Sequence, residues 1–434
     1  MTNIYTLLGC LAILFFLSYV LCGKDFFSPA TMLSLTFMFS TMCAIYKYPV
    51  WRYDFSGWTT FIITSSLAIT LIINYFVVMF GPKYLIKKRL AYSENITPIT
   101  TSMTIVAIII ILVTALALVK QIVRVGGTGG TMQSIMASYR NNGSYSTDLD
   151  NQMPQWIKIL QYFTNAFSYL FAFDLMFFWN ELKAGRRIGD IFIVVLCVIT
   201  GLLSGGRFGM ASLLIAIFLM KHLIEIKKRG YYKQYKLSSI IKMTLAVLLA
   251  FFVFYIVRTL VGRDDDQGLF DYIGHYFGGG VPLLDIYLKK DRVEPLVWGQ
   301  ETFYSLINNL RRLGLINVSY YVRHHEFVYR YGNSLGNVYT AFRDYYHDFG
   351  LAGIYIFHIL FSWIYCVQYQ RMKKYGNLLK IIVFSTTYYA VVFYPFNNSL
   401  FATIFSMGFM IQLTILIVLY EIMLRKRVGF RCYE

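Results

Sequence analysis

Eleven apolar runs, each long enough for a helix to cross the hydrocarbon core of a bilayer, recur along this chain. They cover residues 3–22, 29–46, 58–80, 99–119, 155–180, 188–204, 208–224 and 238–257, then 351–370, 378–394 and 400–424. About 20 helical residues span roughly 30 Å of hydrocarbon, and a backbone in that medium must satisfy its own hydrogen bonds, so such runs fold as helices. With 57% hydrophobic and 14% charged residues, the chain lies outside the composition of a water-soluble domain. The expected fold is all-α, a polytopic transmembrane helix bundle forming one integral membrane domain over residues 1–434.

A net charge of +18 could suggest a nucleic-acid partner, but most of the excess sits in short clusters immediately after apolar runs. Such clusters report topology. Lys83, Lys87, Lys88 and Arg89 form one; Lys183, Arg186 and Arg187 another; Lys221, Lys227, Lys228, Arg229, Lys233 and Lys236 a third. Arg371, Lys373 and Lys374, then Arg425, Lys426, Arg427 and Arg431, fall on that same face when the spans alternate, so it is predicted to be cytoplasmic, with the C-terminus. An odd number of spans then puts the N-terminus outside. The first run lacks the basic leader of a signal peptide and reads as a retained helix, and Cys22 lacks the small preceding residues of a lipidation site. Of six cysteines, Cys10, Cys22, Cys43, Cys197 and Cys366 lie in or beside apolar runs without CxxC spacing, which indicates neither a disulfide framework nor a zinc site.

Two long segments, 120–154 and 258–350, lie on the opposite face, so function is expected there. The first, with "VGGTGGT" and "NNGSYSTDLDNQ", reads as a flexible lid or linker. The second is too long for an unstructured loop and reads as a partly helical external subdomain, with helical patches at 302–313 and 337–347. Within it, "YFGGGVPLLDIYL" is apolar but short, which suits a stretch lying along the membrane surface or dipping into it.

Segment 258–350 holds ten Lys and Arg residues, of which eight are Arg. Arg presents a planar fork of donors that matches phosphate and carboxylate oxygens, a geometry Lys lacks. Arg258, Arg263, Arg292, Arg311, Arg312, Arg323, Arg330 and Arg343 therefore either gather an anionic ligand or pair with the eleven acids of the same segment. In "SGGRFGMASLL", Arg207 sits among small residues in a very tight reversal between two apolar runs. A charge at that depth marks a functional site unless it snorkels to the headgroups. In "GNVYTAFRDYYHDFGLAG", helical spacing puts Arg343 and His347 on one face and Asp344 and Asp348 together likewise. That juxtaposes an acid or base with an anion-binding Arg; the alternative is a solvated helix with ordinary ion pairs. The adjacent histidines of "RHHEF" point to different faces, so a shared metal lacks visible partners. Asp174, in "FAFDLMFF", is an intramembrane carboxylate that either serves a site or pairs with another helix. The triplet Asp264 to Asp266 suits either a metal or plain solvation. No phosphate-cradling GxxxxGK, GxSxG or HExxH pattern occurs.

Three stretches, "KDFFSP" after the first run, "SGGRFG" between two middle runs and "GNVYTAFRDYYHDFGLAG" closing the long segment, are carried in an order and topology that resemble the Wzy family of O-antigen and oligosaccharide repeat-unit polymerases, relatives of the O-antigen ligases. The resemblance implies a multi-pass enzyme of the bacterial inner membrane, like the C-type glycosyltransferases and needing no metal, cofactor or nucleotide sugar. Its substrates would be undecaprenyl-pyrophosphate-linked oligosaccharides, its surroundings membrane lipid, and its partners a chain-length regulator and a flippase; no nucleic acid is implied. Arg207 matches the arginine of the family's small-residue turn. Built on that match, the expected pyrophosphate and substrate contacts are Arg207, Arg258, Arg323 and Asn337, with Arg343 at the catalytic centre beside the pyrophosphate. Ligases commonly carry His before the Asn of the closing motif, where this chain has Gly336 before Asn337. The base is then sought at His347, Asp344 or His324.

Two other readings compete. A flippase for lipid-linked units would show internal repeats and midplane charges, whereas this chain concentrates its polar residues outside. A ligase would share the fold and the arginines.

Overall fold

A computed structural model of the chain describes residues 2–80, 96–145, 149–229, 237–258, 267–323 and 325–425. Every one of the eleven apolar runs is helical. In chain order, α1 spans Thr2–Leu21, α2 Pro29–Trp51, α3 Gly57–Phe80 and α4 Thr101–Gly126. A shorter α5, Met132–Tyr145, precedes α6 (Gln155–Phe177), α7 (Ala184–Leu202), α8 (Phe208–Arg229) and α9 (Leu237–Ile256). Three short helices follow, α10 (Leu269–Gly278), α11 (Gly280–Leu288) and α12 (Tyr304–Arg312), then a hairpin of β1 (Val328–Arg330) and β2 (Asn333–Gly336). The chain ends with α13 (Ala341–Tyr375), α14 (Leu378–Thr387), α15 (Tyr389–Val392) and α16 (Met407–Met423). Among the described residues, six helices (α1, α2, α3, α4, α8 and α13) are long and apolar enough to cross a membrane. The architecture is all-α apart from the small hairpin.

Between helices in lipid there is little hydrophobic driving force, so packing and interhelical hydrogen bonds hold the bundle, each bond contributing about 0.6–2 kcal/mol. The α3–α13 contact illustrates this. Thr70 Oγ1 lies 2.7 Å from Ser362 Oγ and 2.8 Å from His358 Nε2, while His358 Nδ1 reaches Tyr394 Oη at 2.9 Å. One end of the bundle is tied by the "KDFFSP" turn. Asp25 accepts bonds from Tyr369 Oη and Lys373 Nζ, both at 2.7 Å, and its other oxygen lies 3.2 Å from His222 Nε2. Asp174 lies toward this end too, accepting from the Ile99 amide at 3.2 Å, with Arg186 of α7 at 3.9 Å. Its pairing with a neighbouring helix is the structural one of the two readings above.

At the opposite end, buried Asp285 of α11 accepts from Ser56 N at 3.0 Å and from Thr59 Oγ1, fastening α11 to the start of α3. The stretch read as lying along the membrane surface or dipping into it is covered by the rest of the protein, with all residues from Gly280 to Tyr287 buried. Its glycines explain why. A Cβ at Gly278 would sit 2.9 Å from the Ala44 nitrogen of α2, and one at Gly280 would sit 2.3 Å from the Pro395 oxygen. Only glycine allows backbones so close.

Two further expectations are revised. The segment read as a flexible lid or linker contains α5, whose Met136 and Tyr139 pack on Ile122 and Val125 of α4, a helical spacing hidden among its glycines and asparagines. Within 302–313 the helix α12 covers Tyr304–Arg312, but 337–347 divides: the chain leaves β2, stays extended through Thr340, and turns helical only at Ala341. The positive φ at Tyr331 (49°) and Gly332 (75°) closes the hairpin, which competes with an earlier helix start. Lys83, Lys87, Lys88, Arg89, Lys233, Lys236, Lys426, Arg427 and Arg431 lie outside the described residues, as do Arg263, Asp264 to Asp266 and His324.

Candidate active site

Helix α13 is interrupted at Gly350 (φ 64°, ψ −156°), so residues 341–349 form a separate helical segment ahead of the apolar run 351–370. Arg292 covers the break: its Nε donates to the His347 carbonyl at 3.0 Å and its Nη2 to that of Asp348 at 2.9 Å. These carbonyls are helix-end groups that need partners. The segment thereby presents two faces. On one, Arg343 lies over the Tyr287 ring (4.7 Å to its centroid) and His347 Nδ1 meets Tyr287 Oη at 2.7 Å. On the other, Asp348 accepts from the amides of Glu301 (3.1 Å) and Thr302 (2.6 Å), while the Asp344 carbonyl accepts from Thr302 Oγ1. Both face-sharing pairs expected from the spacing are formed.

Asp348 thus fixes the turn that carries Glu301, and Glu301 completes a charged cluster that the sequence does not announce. Arg323 Nη2 donates to Asp344 Oδ2 at 2.5 Å and to Asn397 Oδ1 at 3.1 Å. His325 Nε2 lies 3.3 Å from Asp344 Oδ1, with its Nδ1 3.9 Å from Glu301 Oε2. Arg343 reaches Glu301 at 3.5 Å, Glu326 at 3.2 Å and Asp344 at 3.7 Å. Asp344 is almost wholly buried, and Glu326 is the most exposed of the three acids.

Burial, followed by the nearby Asp344 carboxylate, pushes the Glu301 carboxyl above its ordinary value. Burial also lowers the His325 imidazole against the pull of Asp344, which favours the neutral ring. Glu326 is held below its ordinary value: burial opposes this, but its own amide and Arg343 outweigh it. His325 Nε2 stands 3.3 Å from Asp344 Oδ1 without a formed hydrogen bond, and His325 Nδ1 and Asp344 Oδ1 are both buried without a hydrogen-bond partner among the described residues. The arrangement places an imidazole beside a carboxylate, the juxtaposition from which a general base can be built.

The ligand atoms of Glu301, His325 and Asp344 fall within 4.8 Å of one another, a spacing that could also hold a metal ion. The charges favour the proton-handling reading. Two guanidiniums, Arg323 and Arg343, already lie within 4 Å of the Glu301 and Asp344 carboxylates, so a cation would face two positive charges there.

A second group of arginines lies elsewhere. Arg207, buried at the turn between α7 and α8, donates from Nη1 to the Phe254 carbonyl at 3.0 Å and to Tyr272 Oη at 2.5 Å. Its guanidinium carbon stands 3.9 Å from the Phe254 ring centroid, 4.9 Å from that of Tyr276 and 5.4 Å from that of Tyr272. Arg258 lies 5.6 Å from the Tyr272 centroid and covers Tyr255 at 3.8 Å, with its buried Nε lacking a hydrogen-bond partner among the described residues. Among the described residues neither guanidinium has a carboxylate partner.

The sequence candidates therefore divide. Arg207 and Arg258 converge on Tyr272; Arg323, Arg343 and Asp344 converge on Glu301 and His325; His347 borders the cluster of Arg343 through Tyr287. Asn337 is half-buried on the extended stretch leading to Thr340. Glu301 and His325 were missed as partners, for they meet only through the fold; "RHHEF" was the one visible signal. The arginine bias of the long segment has more than one cause: acid pairing at Arg323 and Arg343, helix capping at Arg292, and ring contacts at Arg258 and at Arg311, which lies 4.9 Å from the Tyr320 centroid. Comparison of the chain with family models, with curated proteins and with solved structures gives no match.

Proposed function

We propose that the chain polymerises undecaprenyl-pyrophosphate-linked oligosaccharide repeat units, as in O-antigen or capsular polysaccharide synthesis, at the outer face of a bacterial inner membrane. In this reading all eleven apolar helical stretches cross the bilayer, in an arrangement like the C-type glycosyltransferases. The end tied by Asp25 faces the cytoplasm. Lys183, Arg186, Lys227, Lys228, Lys373 and Lys374 gather toward that end, as the positive-inside rule requires.

The observation that carries the reading is the guanidinium pair at Tyr272. Buried Arg207 and half-buried Arg258 meet at one ring with no carboxylate between them among the described residues, a charge pair that is costly unless an anion joins it, and a membrane protein keeps such charges for a ligand. A diphosphate fits the forked donors and the charge.

In the reaction, the acceptor hydroxyl oxygen attacks the anomeric carbon of the donor glycan. The bond from that carbon to the pyrophosphate oxygen breaks, the carrier pyrophosphate leaves with the electron pair, and the hydroxyl proton passes to His325 Nδ1. Asp344 holds the His325 ring and stabilises the imidazolium that forms. Arg207 and Arg258 stabilise charge on the departing diphosphate. Arg323 and Arg343, engaged by acids, hold Asp344 and Glu301 in place for the acceptor. Asn337 and His347 line the approach.

Loss of the gene tests the assignment. A polymerase leaves surface glycan with a single repeat unit, a ligase leaves none attached, and a flippase leaves lipid-linked units on the cytoplasmic side; either of the last two results overturns the reading.

A further inference from the structure

The turn between α11 and α12 exposes apolar side chains in an unusual way. Val293, Leu296 and Trp298 are 66%, 77% and 82% exposed, although the turn is ordered by the Leu296 amide donating to Gln300 Oε1 at 2.8 Å and by the Gln300 amide donating to the Val297 carbonyl at 3.0 Å. Ordered apolar protrusions on a protein surface mark contact with something apolar.

The position of the turn identifies that contact. Its foot is Arg292, which covers the break at Gly350, and the Trp298 ring lies edge-on to Phe349 with centroids 6.3 Å apart. Residue 351 begins the apolar run of α13, whose Ile356, Ile359, Leu360 and Trp363 are exposed on the helix surface. The protrusion is thus continuous with the lipid-facing surface of α13 at the level where that surface starts. Its residue types agree, because Trp is enriched where one side of a ring meets headgroups and the other acyl chains, and Lys289 and Lys290 on its flank are exposed.

We propose that residues 293–298 form a membrane hook, with Val293, Leu296 and Trp298 inserted into the headgroup–acyl boundary of the leaflet on the loop-bearing side. The hook is joined through Gly299 and Gln300 to Glu301, so the bilayer surface sets the height of that carboxylate. This inference concerns the protein–lipid contact and does not depend on the reaction proposed above.

The full-length chain, reconstituted in nanodiscs of phosphatidylethanolamine and phosphatidylglycerol, carries an environment-sensitive fluorophore on Leu296→Cys, with unsubstituted protein as the labelling blank. Val293→Cys provides a second position should the first disturb the turn. Doxyl-labelled lipids are expected to quench the probe several-fold more than aqueous iodide does, with blue-shifted emission. Quenching by iodide and not by lipid would overturn the hook. So would protection from both quenchers, which would indicate a protein covering the turn instead.

Discussion

His325 Nε2 lies 3.3 Å from Asp344 Oδ1, and this contact joins the extended strand-like approach after α12 to the helix ahead of the Gly350 break. It couples an imidazole to a carboxylate that Arg323 already orients. If that pair activates the acceptor, His325→Ala lowers kcat by about 10²–10⁴-fold, the usual range for a general base. KM for the lipid-linked unit stays close to wild type, because the diphosphate contacts lie elsewhere. Steady-state kinetics on purified protein check the split; a change confined to KM would remove His325 from the chemistry.

The pH dependence has a definite sign. Burial lowers the imidazole pKa, so His325 keeps its free lone pair at a pH where an ordinary histidine, with a pKa of about 6.5, has begun to take up a proton. Activity therefore falls on acidification only through a pH below that value. A rate profile between neutral and acidic pH checks this, and His325→Ala should flatten the acid limb.

Arg343 is a stability residue as much as a site residue. Removing one member of a buried charge network leaves its partners uncompensated, at a cost of about 3–5 kcal/mol. Arg343→Ala should destabilise the protein by that amount, and adding Glu301→Gln should recover part of it, since the two side chains contact each other at 3.5 Å. Thermal unfolding of the single and double variants in nanodiscs gives the coupling.

The glycines of "YFGGGV" make a packing prediction independent of chemistry. Gly278→Ala puts a methyl 2.9 Å from α2 backbone and should cost about 1–3 kcal/mol, whereas Gly129→Ala, with open space around it, should be near neutral. Unfolding midpoints of both variants check the contrast.

Hydrophobic run length was enough to locate the long apolar helices but not α5, and i to i+4 spacing was enough to pair Arg343 with His347 and Asp344 with Asp348. Both signals are local. The division of the arginines was not legible, because an arginine beside Tyr272 and one beside Glu301 look alike until the chain brings those partners up. Burial of α11 was hidden for a related reason: a short apolar run suits a membrane surface and a protein interior equally, and only the backbone approach at Gly278 and Gly280 decides it. Glu301 gave no sign of its role, since the amides that fix its turn are held by Asp348 from a distant part of the sequence.

The most direct test takes purified protein in nanodiscs with undecaprenyl-pyrophosphate-linked repeat units and follows glycan length and carrier release together. Wild type is expected to build a ladder with one carrier pyrophosphate freed per added unit, and Arg207→Ala, retained in the membrane, to lose about 10²–10³-fold in rate, the cost of removing one donor that stabilises developing charge. A ladder of undiminished rate from Arg207→Ala, or no ladder from wild type, would contradict the central claim that the guanidinium pair at Tyr272 holds the departing diphosphate.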